Sequence, residues 1–325
     1  MRIVAVKATF VVREDGGTEL HPVQAPVASV PVHRGDPAAS SLLLDGDLLE
    51  SKAATDVIVE GEAHAPRSSA VRSLDVALGV QQQGKTLVQK RLRVLGNRTV
   101  QSTLLGVTTS APEPFITMPV TYERAFGGTQ EQADTPGGFA CEPRNPVGTG
   151  FATERGQVVG RPAPNIEHPD HPYQHWRRGQ PAGFGPVARH WSPRAQLAGT
   201  YDSEWEKNQH PLLPHDFDPR YYQCAPADQQ VPDFLKGGEV ITCHHMTPDG
   251  VFRVTLPSIT FGLTTVFYDR SRSEHRANLH TVRVCPSQRA VQMVWHSALP
   301  CHVKVNKLKE TRIFIKPRVT ASAAF

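Results

Sequence analysis

Proline placement constrains this chain more than any other feature. Of its 28 prolines, 18 fall between Ala111 and Pro232. Proline has no amide hydrogen to donate, so neither a long helix nor an interior strand can run through such a stretch. On both sides of it the sequence alternates with the period of a strand. Val4, Val6, Ala8, Phe10 and Val12 would share one face of the opening segment. "TDVIVEGEAHAP" (55–66), "AVRSLDVALGV" (70–80) and "KTLVQKRLRVLG" (85–96) continue the pattern, and Gly84 of "QQQGK" can take the positive φ of a hairpin turn. After Val240 the rhythm returns in "GVFRVTLPSITFGLTTVFYD", "NLHTVRVCPS", "AVQMVWHS" and "ETRIFIKPRV", with "PSQRA" as a second hairpin connection. The expected fold is mainly β: antiparallel sheets, sandwich or barrel-like, with a long irregular Pro/Gly-rich central layer. The expected organisation is a single domain over 1–325, β-rich at 1–110 and 233–325 and irregular at 111–232. The two β-rich ends would pack together with the centre draped over them.

An unpatterned stretch of that length is usually disordered, but this one is rich in Phe, Trp and Tyr, which disordered segments lack. The whole chain is 39% hydrophobic and 20% charged, as a folded globular protein is. Net charge is only +4 and the basic residues are dispersed among 31 acids, which argues against a nucleic-acid partner. Lys7 and Thr9 interrupt the first apolar run, so it reads as a strand and not a signal peptide. No apolar stretch approaches the ~18 residues of a membrane span, so no membrane insertion is expected. The five cysteines form no CxxC, which points to a reduced, cytoplasmic setting.

Catalytic signatures are missing from the sequence: there is no GxSxG, HExxH, phosphate-binding lysine loop or GxGxxG. Two histidine-rich stretches, "EHPDHPYQH" and "CHH", have metal-ligating residue types but no register that would converge them, so neither a metal nor a cofactor is expected. Asp202, Glu204, Glu206, Asp216 and Asp218 are spaced in pairs that could serve glycoside hydrolysis, yet acids beside Gly and Pro more often cap turns. The alternative to a binding protein is thus a hydrolase of glycan or peptidoglycan using Glu123 or Asp202 with a histidine. "MPVTYERAFGG" looks most like an active site. Extended, it would place Tyr122 and Arg124 on one face and Glu123 on the other. We read it instead as part of a polar clasp, because an irregular layer needs side-chain partners for its backbone groups. Arg124, Arg144, Asn145, Asn165 and Arg194 are suited to that task, Asp202 to a turn, and Gly127, Gly128, Gly148 and Gly150 to close backbone approach.

"KATF" (7–10), "SSLLLDGDLLESKAATDVIVEGEAHAP" (40–66), "MPVTYERAFGG", "NPVGTGF" (145–151), "PNIE" (164–167), "PAGFGPVARHWSPR" (181–194), "AGTYDSEW" (198–205) and "LPHDFDPRYYQCAPADQQ" (213–230) together resemble the domain-of-unknown-function family twenty-one sixty-nine. "EHPDHPYQHWRRGQ" (167–180) departs from that pattern and looks like a variable insertion. The resemblance implies an effector adaptor or chaperone of a type VI secretion system. Its implied partners are a cognate toxin effector, a PAAR-repeat tip protein and a VgrG spike, and it carries over no catalytic residue. Interface cores are rich in aromatics, so Phe126, Phe151, Phe184, Trp191, Tyr201 and Trp205 are the candidate contact residues.

Overall fold

The computed structural model describes residues 2–132, 138–299 and 306–316. Fourteen strands build its three larger sheets: β1 (Arg2–Val12), β2 (Thr18–Leu20), β3 (Ala54–Val59), β4 (Ser73–Gln82), β5 (Lys85–Leu95), β6 (Ile166–Glu167), β7 (Gln230–Pro232), β8 (Val240–His244), β9 (Val251–Thr255), β10 (Phe261–Phe267), β11 (Arg272–Arg276), β12 (Asn278–Cys285), β13 (Ala290–Leu299) and β14 (Leu308–Ile315). One sheet has the order β7-β3-β12-β13-β1-β2, the second β6-β5-β4-β8-β9, and the third β11-β10-β14. Each of the first two sheets takes strands from both ends of the chain. All their pairings are antiparallel except β3 with β12, which run parallel. The fold is mainly β, and among the described residues no barrel closes.

Alternation explains the registers. In β4 the side chains of Leu74, Val76, Leu78 and Val80 point inward, and the hairpin to β5 closes through Gln83 and Gly84, both at positive φ as a two-residue turn of this hand requires. The inward faces of the first and second sheets share one core, in which Phe10, Val57, Val59, Val282 and Met293 of one meet Val76, Leu92, Ile241 and Phe252 of the other. The turn at Pro286–Gln288, with Arg289 left-handed, joins β12 to β13 at the "PSQRA" position.

A third layer covers the outer face of the first sheet. In β3, Val57 and Val59 face the shared core, whereas Ile58 between them packs against Cys224 and Ala225. Lys7, opposite the apolar face of β1, is only 3% exposed at its side chain and pairs with Asp47 at 2.9 Å. The central region departs from a draped layer in two ways. It supplies strands β6 and β7 to the large sheets, and it sends Phe115, Met118, Val120, Ala182 and Phe184 into the main core. The proline argument holds locally: among the described residues the longest helix in this region is Ser203–Asn208.

Candidate functional site

The "TYERAFGG" stretch is not extended. Thr117–Pro119 is a short strand, and Tyr122–Arg124 forms a single 3-10 turn, so Tyr122 and Arg124 do not share a face. Tyr122 is buried edge-on against Trp191 at 5.4 Å. Asn145 locks the turn from inside: fully buried, it donates from Nδ2 to the carbonyls of Tyr122 (2.8 Å) and Phe126 (3.0 Å). Its own carbonyl accepts from the Gly128 amide at 2.9 Å. Gly127 is required here, because a Cβ at that position would lie 2.1 Å from the Asn145 carbonyl oxygen. Phe126–Gly127 then pairs in parallel with Thr149–Gly150, while Gly148 lies so close to Asn145 that a side chain would not fit.

Arg124 contributes little to the clasp. Its side chain makes one hydrogen bond, from Nη1 to Asn165 Oδ1 at 3.2 Å. The fork belongs to Arg194, a buried residue that donates to Asp45 Oδ2 (2.8 Å), to the carbonyl of Val187 (2.6 Å) and twice to that of Tyr221. Burial opposes ionisation of Asp45, but Arg194 and Arg189 together hold its carboxyl below the usual range. Arg144 grips Glu142 with two bonds and the Gly179 carbonyl with a third.

The carboxylates proposed for hydrolysis have other work. Asp202 caps Ser203–Asn208 by accepting from the amides of Glu204 and Trp205, and Asp218 caps the turn at Pro219–Tyr222. Asp216 binds the amide and hydroxyl of Thr200. Burial would raise the Glu123 carboxyl, but the Ser41 amide, 2.7 Å from Oε1, draws it below its ordinary value, so this residue is held as an anion. Cys243 is buried and its thiol is pushed up to about 12, while His244 points out to solvent. Among the described residues no three His, Cys, Asp or Glu side chains stand where one metal ion could be held. Cys301 lies outside the described residues. In 167–180, Tyr173 is buried on Phe126 and donates to the Gly150 carbonyl, so part of this stretch belongs to a secondary core.

Of the six aromatic contact candidates, Phe126, Phe184 and Trp191 are fully buried and serve the cores instead; Phe151 is half-buried against Phe126 and its neighbours. Tyr201 and Trp205 remain. They belong to a projection, residues 199–217, closed at its neck by Thr200 and Asp216. Trp205 packs edge-on against Tyr201 at 4.7 Å and donates from Nε1 to the Leu212 carbonyl. Around it Tyr201 is 53% exposed and Leu212 65% exposed. The sequence reading missed Leu212 and Leu213, although two adjacent leucines among prolines and acids are a legible signal.

The fold and these two features define a mainly β scaffold with an internally braced irregular layer and an exposed segment at 199–217 that carries aromatic and leucine side chains. The chain belongs to the family described as an uncharacterized protein conserved in bacteria, DUF2169, which it matches over residues 1–296. No curated protein and no solved structure matches it significantly. Among the described residues no helix is long and apolar enough to cross a membrane.

Proposed function

We propose that this chain is a non-catalytic adaptor or chaperone of a type VI secretion system, which binds a toxic effector and aids its loading onto a VgrG spike or PAAR-repeat tip protein. The partner class comes from the family resemblance of the central motifs. The observation that carries a binding role is the 199–217 segment, where Tyr201 and Leu212 stand exposed around the half-buried Trp205 and the segment is held by its own hydrogen bonds. A contact surface ordered before binding loses little conformational entropy when a partner arrives, and exposed aromatics are the side chains that contribute most at such centres. The engagement of Asp202 and Asp218 in capping and of Asp216 with Thr200 weighs against hydrolysis.

Co-expression with the neighbouring toxin and spike genes tests the proposal. The chain should co-purify with at least one of them, and a Tyr201→Asp, Leu212→Asp double variant should lose the partner while keeping its melting temperature. Failure of the native chain to capture either, with toxin solubility unchanged in its absence, would refute the role. A peptidoglycan-cleaving activity lost in Asp202→Asn would establish the rival.

A further inference from the structure

Beside the Tyr122–Arg124 turn lies a cleft of about 930 Å³. Its walls come from residues 97–99, 110–113, 121–124 and 160–165, with Thr149 at the base of the turn. Most of the groups in it are satisfied by the fold. Asn165 donates to the Leu95 carbonyl at 3.0 Å, and its backbone amide donates to the Arg124 carbonyl at 2.8 Å. Arg98, buried in one wall, pairs through Nη2 with Glu167 at 2.5 Å. Glu123 faces the Ser41 amide. Glu123 Oε2 is buried without a hydrogen-bond partner, and the least satisfied group is Arg124. Of its five N–H donors, one is used, on a neutral amide oxygen, and no carboxylate lies within ion-pair distance among the described residues. Asn165, itself anchored, aims that guanidinium. In the wall behind, Arg98 Nε is buried without a hydrogen-bond partner.

We propose that this cleft is a carboxylate-binding site, with Arg124 as its anchoring cation and a peptide-borne carboxylate as its ligand. A half-buried, pre-aimed guanidinium with a free fork matches a carboxylate with two parallel charge-assisted bonds. Its neighbours limit the ligand's charge. Glu113 and Glu123 line the same cleft, and their repulsion grows with the ligand's charge, which favours a monoanion over a phosphate dianion. Size favours a peptide over a free carboxylic acid of a few atoms, because the volume falls at the upper end of the ~300–1,000 Å³ of ligand sites. The Ser110 hydroxyl, which accepts from the Thr99 amide, still has its proton to donate to a flanking peptide carbonyl, and so has the Asn97 amide nitrogen. The carboxylate comes from an aspartate side chain or from a chain terminus. This site does not rest on the adaptor role, since its test needs only the purified chain.

The test is a titration of the full chain followed by the arginine Nε–Hε resonances, that of Arg124 being identified by its loss in Arg124→Lys. The probes are acetyl-Gly-Asp-Gly-amide, acetyl-Gly-Gly-Gly with a free terminus, the Asn counterpart of the first, and inorganic phosphate. The Arg124 resonance should shift saturably, with a dissociation constant on the order of millimolar, for one or both carboxylate peptides; which of them binds identifies the source. Arg124→Gln, followed by the Arg98 Nε–Hε resonance in the same cleft, should weaken that binding at least about tenfold, as removal of a charge-assisted pair does, with its melting temperature kept. Absence of a saturable shift with both carboxylate peptides overturns the proposal. So does an equal response to the Asn peptide or to phosphate, or undiminished binding to Arg124→Gln.

Discussion

Asn145 and Arg124 sit at the same junction, and their burial and bonding separate their roles. Asn145 supplies two bonds to carbonyls that no regular ladder reaches. Asn145→Ala would leave the Phe126 carbonyl without its bond and the Tyr122 carbonyl with only the Ala125 amide, in a dry interior, at a cost of about 1–3 kcal/mol. Arg124→Ala removes one 3.2 Å bond at a half-buried position and should cost under about 1 kcal/mol. Urea unfolding of the two variants checks this, and equal losses would show that Arg124 carries the junction after all. Arg194 is the more severe case: in Arg194→Lys a point ammonium cannot reproduce the fork to Asp45, Val187 and Tyr221, so a loss of about 2–4 kcal/mol is expected from the same measurement. Asn145 was legible as a clasp because it precedes a proline and adjoins glycines. The division of labour between Arg124 and Arg194 was not, because the partner of Arg194 lies 149 residues away. A residue type can be read from sequence as able to fork; the acid it reaches is set by the folded path.

At the scale of elements, legibility followed the source of the ordering force. The β4–β5 hairpin was readable because alternation and Gly84 specify it locally. The turn at Tyr122–Arg124 was not legible because three residues carry no period, and what bends them is the Asn145 amide. For the same reason the buried state of Phe126, Phe184 and Trp191 could not be told from the exposed state of Tyr201: "AFGG", "GFGP", "HWSP" and "GTYD" are all short aromatic-bearing stretches beside Gly or Pro. Only the contacts decide. The Ser203–Asn208 helix gives this scale its prediction. It is too short to hold itself in water, so its cap matters. Asp202→Ala should cost about 1 kcal/mol locally and speed hydrogen exchange at the Glu204 and Trp205 amides, while the global unfolding midpoint stays nearly unchanged. A large fall in that midpoint would mean that the projection is part of the main cooperative unit.

The whole molecule is held by polar links that cross its layers, and these make its stability depend on pH. Lys52, buried under the cover, bridges Asp56 and Thr281. Gln229 joins the β3 carbonyl of Val57 to that of Phe184. Close to Lys52 stand His280 of β12 and His296 of β13, stacked at 4.7 Å, with Phe234 on the far side of His280. Neither ring nitrogen of His296 has a hydrogen-bond partner. Burial, reinforced for His296 by the Lys52 charge, pushes its pKa down to about 4; burial and the neighbouring His296 push His280 down to about 3. Asp47 offsets a little of this at His296. Both imidazoles are therefore neutral in the folded state where the unfolded chain, with an ordinary value of about 6.5, has begun to bind protons. The unfolded state holds more protons over that interval, so stability is full above about pH 6.5 and falls as the pH drops toward about 4. Below that, loss of the Asp45 carboxylate weakens its bonds to Arg194 and Arg189 as well. Urea midpoints measured from pH 8 to pH 4.5 should be flat at first and then decline. His296→Phe, which keeps the stack and removes one titrating ring, should shallow the decline, and an unaltered slope in that variant would place the proton uptake elsewhere.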